Sequence, residues 1–140
     1  MLKNWLRTRT SEQAVVSHCV LIVGDDADVL SLIGDTLQQK NYRVQSSNNV
    51  AETLRLLDLI EPVVLICDFT RPEVEGKQLL EAARVRLGKS GMPAVLFLRD
   101  SQEDEAFANA MGVEDLMLKP FDSATLFQHV DKLVLSRCHA

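Results

Sequence analysis

Three stretches of this chain are apolar from end to end: Cys19-Val-Leu-Ile-Val23, Val63-Val-Leu-Ile-Cys67 and Ala94-Val-Leu-Phe-Leu98. Each is too short for a core helix. A strand with one wet face alternates polar and apolar residues, so an unbroken short run needs cover on both faces. Two weaker runs, Tyr42-Arg-Val44 and Leu116-Met-Leu118, complete a set of five. In the first of these, Arg43 and Gln45 point away from Val44, which is the pattern of an edge strand.

Helix-period segments separate the runs. Val29, Leu30, Ile33 and Leu37 share one helical face, and Leu54, Leu57 and Ile60 another. Leu79, Leu80, Ala83 and Leu87 follow, then Ala106, Phe107, Ala110 and Met111, then Leu126, Phe127, Val130, Leu133 and Val134. This spacing predicts five amphipathic helices. Asn49 with Glu52, and Ser101 with Asp104, stand at capping distance, and Asp122 is placed to cap the last helix. Strands alternating with helices predict a doubly wound α/β fold, a five-stranded parallel sheet in the order 2-1-3-4-5. Its ligands belong at the carboxyl ends of the strands, where the winding reverses.

Composition removes several alternatives. The chain has 140 residues, which suits one domain. With 46% hydrophobic residues it can bury a core, and its mean hydropathy of +0.01 does not suit a membrane protein. A net charge of −5 argues against direct binding of nucleic acid. Residues 1–16 carry +2, from Lys3, Arg7 and Arg9 against Glu12, and are read as an N-terminal extension to a domain at 17–136 with a tail at 137–140. The basic start before Ala14–Val23 superficially resembles a secretory signal, but Ser17 and His18 interrupt the apolar stretch and no small-residue cleavage site follows. Cys19, Cys67 and Cys138 show no metal spacing, so a reduced, cytoplasmic protein is expected.

The strand ends carry the chemistry. Asp25-Asp26 follows the first strand, Asp68 ends the third, and Lys119-Pro120-Phe121 follows the fifth. Carboxylates on neighbouring strand ends suit a hard divalent cation, and a lysine arriving from another strand suits a phosphoryl group. Together they can make Asp68 an acyl-phosphate nucleophile. For any one of these residues alone, a helix cap or a turn is the simpler explanation. It is their arrival at matching strand ends that favours a site. The run Arg99-Asp-Ser-Gln-Glu-Asp-Glu105 is expected to be a solvated loop and helix start.

The segments Val20-Leu-Ile-Val-Gly-Asp-Asp-Ala-Asp-Val29, Asp68-Phe-Thr-Arg-Pro-Glu-Val-Glu-Gly76 and Lys119-Pro-Phe121 resemble the receiver domain of two-component response regulators, which has a flavodoxin-like fold. The resemblance implies that Asp68 accepts a phosphoryl group from a histidine kinase or phosphotransfer protein. It implies that Asp25, Asp68 and the Thr70 carbonyl ligate magnesium, with Asp26 a further candidate, and that Lys119 pairs with the phosphoryl oxygens. A cis Lys119–Pro120 bond is expected on the same ground. Output would pass by protein contact through the fourth helix, fifth strand and fifth helix. A homodimer stays open, no membrane partner is expected, and any catalysis is limited to phosphotransfer and dephosphorylation of the domain itself.

Three positions depart from the family pattern. Gly24 stands where the first of two acids is usual, so weak magnesium binding is expected, and Gly24→Asp is expected to tighten it. Leu98, counted from Pro93, or Phe97, counted back from Lys119, stands where the family carries a hydroxyl, and Leu116 where it carries an aromatic residue. These losses also fit a pseudo-receiver that acts as a phosphorylation-independent interaction module. A haloacid dehalogenase-type phosphohydrolase would need an aspartate where this chain has Thr70. The last helix runs nearly to the end of the sequence, so a stand-alone regulator, or a domain of a longer protein, is expected.

Overall fold

The computed structural model describes residues 18–100 and 109–138. Five strands, β1 (Cys19–Gly24), β2 (Arg43–Ser47), β3 (Val64–Asp68), β4 (Ala94–Arg99) and β5 (Asp115–Leu118), form one parallel sheet in the order β2-β1-β3-β4-β5. The four full helices among the described residues are α1 (Ala27–Gln38), α2 (Val50–Ile60), α3 (Lys77–Leu87) and α4 (Ser123–Cys138). Residues 109–111 are also helical and close the connection from β4 to β5, most of which lies outside the described residues, as do Ser101 and Asp104.

Alternation along the strands divides the core into two layers. Val20, Ile22, Val64, Ile66, Leu96 and Leu98 face α1 and α4, where Ile33, Leu37, Leu126 and Val130 meet them. Leu21, Val23, Leu65, Val95 and Phe97 face α2 and α3, against Leu57, Leu79, Leu80 and Ala83. Both faces of β1, β3 and β4 are therefore dry, which is why those sequences carry no polar alternation. The capping residues act as their spacing predicts: the Asn49 side chain accepts from Glu52 N at 2.8 Å, and Asp122 from Thr125 N at 2.8 Å.

The structure corrects several boundaries. β2 lies at the sheet edge as expected but runs on to Ser47, whose buried hydroxyl meets Thr53 Oγ1 at 2.6 Å. β4 includes Arg99, which is only 8% exposed and so is not part of a solvated loop. Pairing with β5 carries the strand that far, since Arg99 lies opposite Leu118 and its carbonyl accepts Lys119 N–H at 2.8 Å. β5 itself begins one residue early, at Asp115, and the last helix continues to Cys138. Before α3, Pro72–Gly76 forms a wide π-type turn.

Candidate functional site

At the carboxyl end of the sheet Gly24 pairs with Asp68. A Cβ on Gly24 would stand 2.9 Å from the Asp68 carbonyl oxygen and 3.3 Å from its Cβ, so only glycine allows the two strand ends to approach this closely. Asp68 is 5% exposed. Its charge is met by Lys119, whose Nζ lies 2.6 Å from Oδ1, and Asp100 Oδ1 stands 3.5 Å from the same ammonium. Burial acts to lower the Lys119 pKa, but the hydrogen bond and charge of Asp68, with Asp100 behind it, outweigh burial and raise it above the ordinary lysine value. The Lys119–Pro120 bond is cis.

Asp25 lies in the loop between β1 and α1 and is exposed. Its Oδ2 accepts from Thr70 N at 3.1 Å and from Thr70 Oγ1 at 2.9 Å. Asp26 is the N-cap of α1, and its Oδ1 accepts from Asp28 N and Val29 N at 2.9 and 3.3 Å. Asp25 Oδ1 and Asp68 Oδ2 take no hydrogen bond among the described residues.

Among the described residues no group of three or more acidic, histidine or cysteine side chains is built to enclose a metal. Asp25 and Asp68 nevertheless supply hard carboxylate oxygens from adjacent strand ends. That set fits magnesium, which keeps several waters and often takes only one or two protein carboxylates.

Leu98, at the position where a hydroxyl is usual in the resembled family, is 2% exposed and packs with Leu96 and Met117. Leu116 lies half-buried on the opposite layer with Phe97. Gly76 lets Phe97 come close, because a Cβ there would meet its ring at 3.0 Å. Asp68, Lys119, Asp25 and Thr70 thus lie at the carboxyl end of the sheet, while Leu98 is a core residue and Leu116 is half-buried against the opposite layer.

Three contacts at or near the site have no simple sequence signal: the Thr70 hydroxyl on Asp25, Asp100 behind Lys119, and buried Arg99 at the end of β4. Farther along β5, His129 Nδ1 lies 2.5 Å from Asp115 Oδ2, and Lys132 Nζ is 3.2 Å from the same oxygen. A cavity of about 560 Å³ lies at the other end of the sheet, lined by Arg84, Met92, Met111 and Arg137 among others, and none of the site residues reaches it.

A doubly wound sheet with a buried aspartate at the end of β3, ion-paired to a lysine from the end of β5, is the arrangement of a receiver-type signalling domain. The chain belongs to the response regulator receiver domain family, which it matches over residues 20–131. It is 32% identical over 113 residues to the transcriptional regulatory protein GlrR of Escherichia coli, covering 80% of this chain and 25% of that one. It is 29% identical over 126 residues to the transcriptional regulatory protein PrrA of Mycobacterium tuberculosis, covering 90% of this chain and 54% of that one.

The chain therefore spans from a quarter to about half the length of these two relatives. The chemotaxis response regulator CheY4 of Vibrio cholerae superposes with a TM-score of 0.71 at 25% identity, over 84% of this chain and 98% of that one. Receiver domains as a class are signalling domains that interact with histidine kinases and downstream effectors and generally bind magnesium at the phosphorylation site. Among the described residues no helix is long and apolar enough to cross a membrane.

Proposed function

We propose that this chain is the receiver module of a two-component phosphorelay, with Asp68 as its phosphoacceptor. The observation that carries this reading is the 2.6 Å pair between Lys119 and a buried Asp68, beside the exposed Asp25 carboxylate. In the transfer, a carboxylate oxygen of Asp68 attacks the phosphorus of a donor phosphohistidine. The new O–P bond forms as the N–P bond breaks, and the imidazole leaves with the electron pair. Asp25, Asp68 and the Thr70 carbonyl would hold magnesium, with Asp26 in reserve. The bound ion would neutralise charge on the transferring phosphoryl oxygens.

Lys119 has a defined part in this reading. Its ammonium, held above the usual lysine pKa, is charged at neutral pH and stands within reach of an oxygen on Asp68. When Asp68 carries the phosphoryl group, the same ammonium can turn to a phosphoryl oxygen, which is the stronger anion. The signal then passes to a downstream protein through the surface of the segment that carries Ala106, Phe107, Ala110 and Met111, β5 and α4. A cytoplasmic location goes with this reading.

Incubation with a small phosphodonor, with and without magnesium, followed by intact-mass measurement tests it. A magnesium-dependent gain of one phosphoryl group that Asp68→Asn abolishes is the expected result. No gain, while a working receiver labels in parallel, would favour the phosphorylation-independent interaction module that aliphatic Leu98 and Leu116 also suit.

A further inference from the structure

Asp25 is exposed, so packing does not fix the plane of its carboxylate. Thr70 does. The Thr70 N–H and hydroxyl both donate to one oxygen, Oδ2, at 3.1 and 2.9 Å. Two donors on one oxygen stop rotation of the carboxylate and leave Oδ1 bare. The contact also ties the loop after β1 to the loop after β3, across 45 residues of sequence. An exposed threonine has water as an easy alternative partner, so holding its hydroxyl on Asp25 orients a group that would otherwise sample several rotamers.

We infer that the Thr70 side chain is a positioning group for the divalent cation: by holding Asp25 Oδ2 it keeps Oδ1 free as the ligating oxygen at this end of the sheet and thereby sets magnesium affinity. The inference rests on the reading of this strand end as a magnesium-dependent phosphoacceptor site. It assigns to the side chain of Thr70 a task separate from that of its carbonyl. A partner that orients a metal ligand commonly accounts for about 10- to 100-fold in metal affinity. With Gly24 in place of a second acid, few carboxylates share the ion, so the orientation of Asp25 weighs more.

The test is a magnesium titration of the full chain, followed by amide chemical shifts, on wild type, Thr70→Val and Thr70→Ser. Valine keeps the shape and the N–H but removes the hydroxyl, and serine restores it. The expected result is a Kd weaker by about 10-fold in Thr70→Val, with Thr70→Ser matching wild type. Melting temperatures measured without metal should be equal for all three, because Thr70 is exposed. Thr70→Ala replaces the valine variant if that one is poorly folded.

A valine variant that binds magnesium as tightly as wild type, or more tightly, overturns the inference, since the hydroxyl would then be idle or a competitor. Wild type that shows no magnesium response at all overturns the underlying reading of the site instead.

Discussion

Lys119 reaches across the end of β4 to place its ammonium 2.6 Å from Oδ1 of Asp68, joining residues 51 apart in sequence. The carboxylate is almost wholly buried and the lysine only partly exposed, so each is the other's main compensation. Lys119→Met would leave a buried carboxylate with no cation. We predict a loss of about 1–3 kcal/mol at neutral pH by urea denaturation, partly recovered in the double variant with Asp68→Asn. The Lys119 pKa is raised on folding, so this contribution is complete below the ordinary lysine range and is lost as pH rises through the raised value.

Gly24 gives a second prediction. Sequence alone suggests that Gly24→Asp adds a metal ligand and tightens magnesium binding. The structure sets a cost against it, because any Cβ at this position meets the Asp68 backbone at 2.9 Å and must displace it. Gly24→Ala, which adds the Cβ without the carboxylate, should destabilise the domain by about 1–3 kcal/mol and shift the Asp68 amide resonance. An unchanged melting temperature and an unmoved resonance would show that the two strand ends yield freely.

The Asp115 cluster should be visible in the pH dependence of stability. Burial acts to raise the Asp115 pKa, but hydrogen bonds from His129, the Leu116 N–H and Lys132 outweigh it and lower the value. A carboxyl whose pKa falls on folding adds stability above its unfolded pKa and loses it as pH falls through the folded one. Wild type should therefore lose more stability than Asp115→Asn between neutral pH and about pH 3, as followed by urea midpoints. Parallel curves for the two proteins would contradict the assignment.

Cysteine reactivity reports the core directly. Burial pushes the Cys67 thiol far above its usual range, and the Asp68 charge adds to the effect. Burial also raises Cys19, offset in part by Arg43. At about pH 8, near the ordinary thiol pKa, a thiol reagent should leave Cys67 unmodified in the native protein and modify all three cysteines in urea. Rapid native labelling of Cys67 would mean that β3 opens.

The sheet order and the place of the site follow from local patterns. The runs in β1, β3 and β4 are apolar because both faces are covered, and Asn49 and Asp122 mark helix starts through short-range hydrogen bonds. Such signals need only neighbouring residues to be read. What sequence does not reveal depends on which strands meet. Arg99 reads as part of a charged loop until its pairing with β5 draws it into β4. Thr70 on Asp25, Asp100 behind Lys119 and His129 on Asp115 join side chains from separate elements, and no periodicity encodes those distances.

The phosphoryl group itself gives the most direct test of the central claim. After exposure to a small phosphodonor with magnesium, borohydride reduces an aspartyl phosphate to the alcohol, and peptide mass mapping then locates the altered residue. The account predicts that homoserine replaces aspartate at residue 68 alone, and that omitting magnesium removes the signal. Reduction at another residue, or none at Asp68 under conditions that label a working receiver, would contradict it.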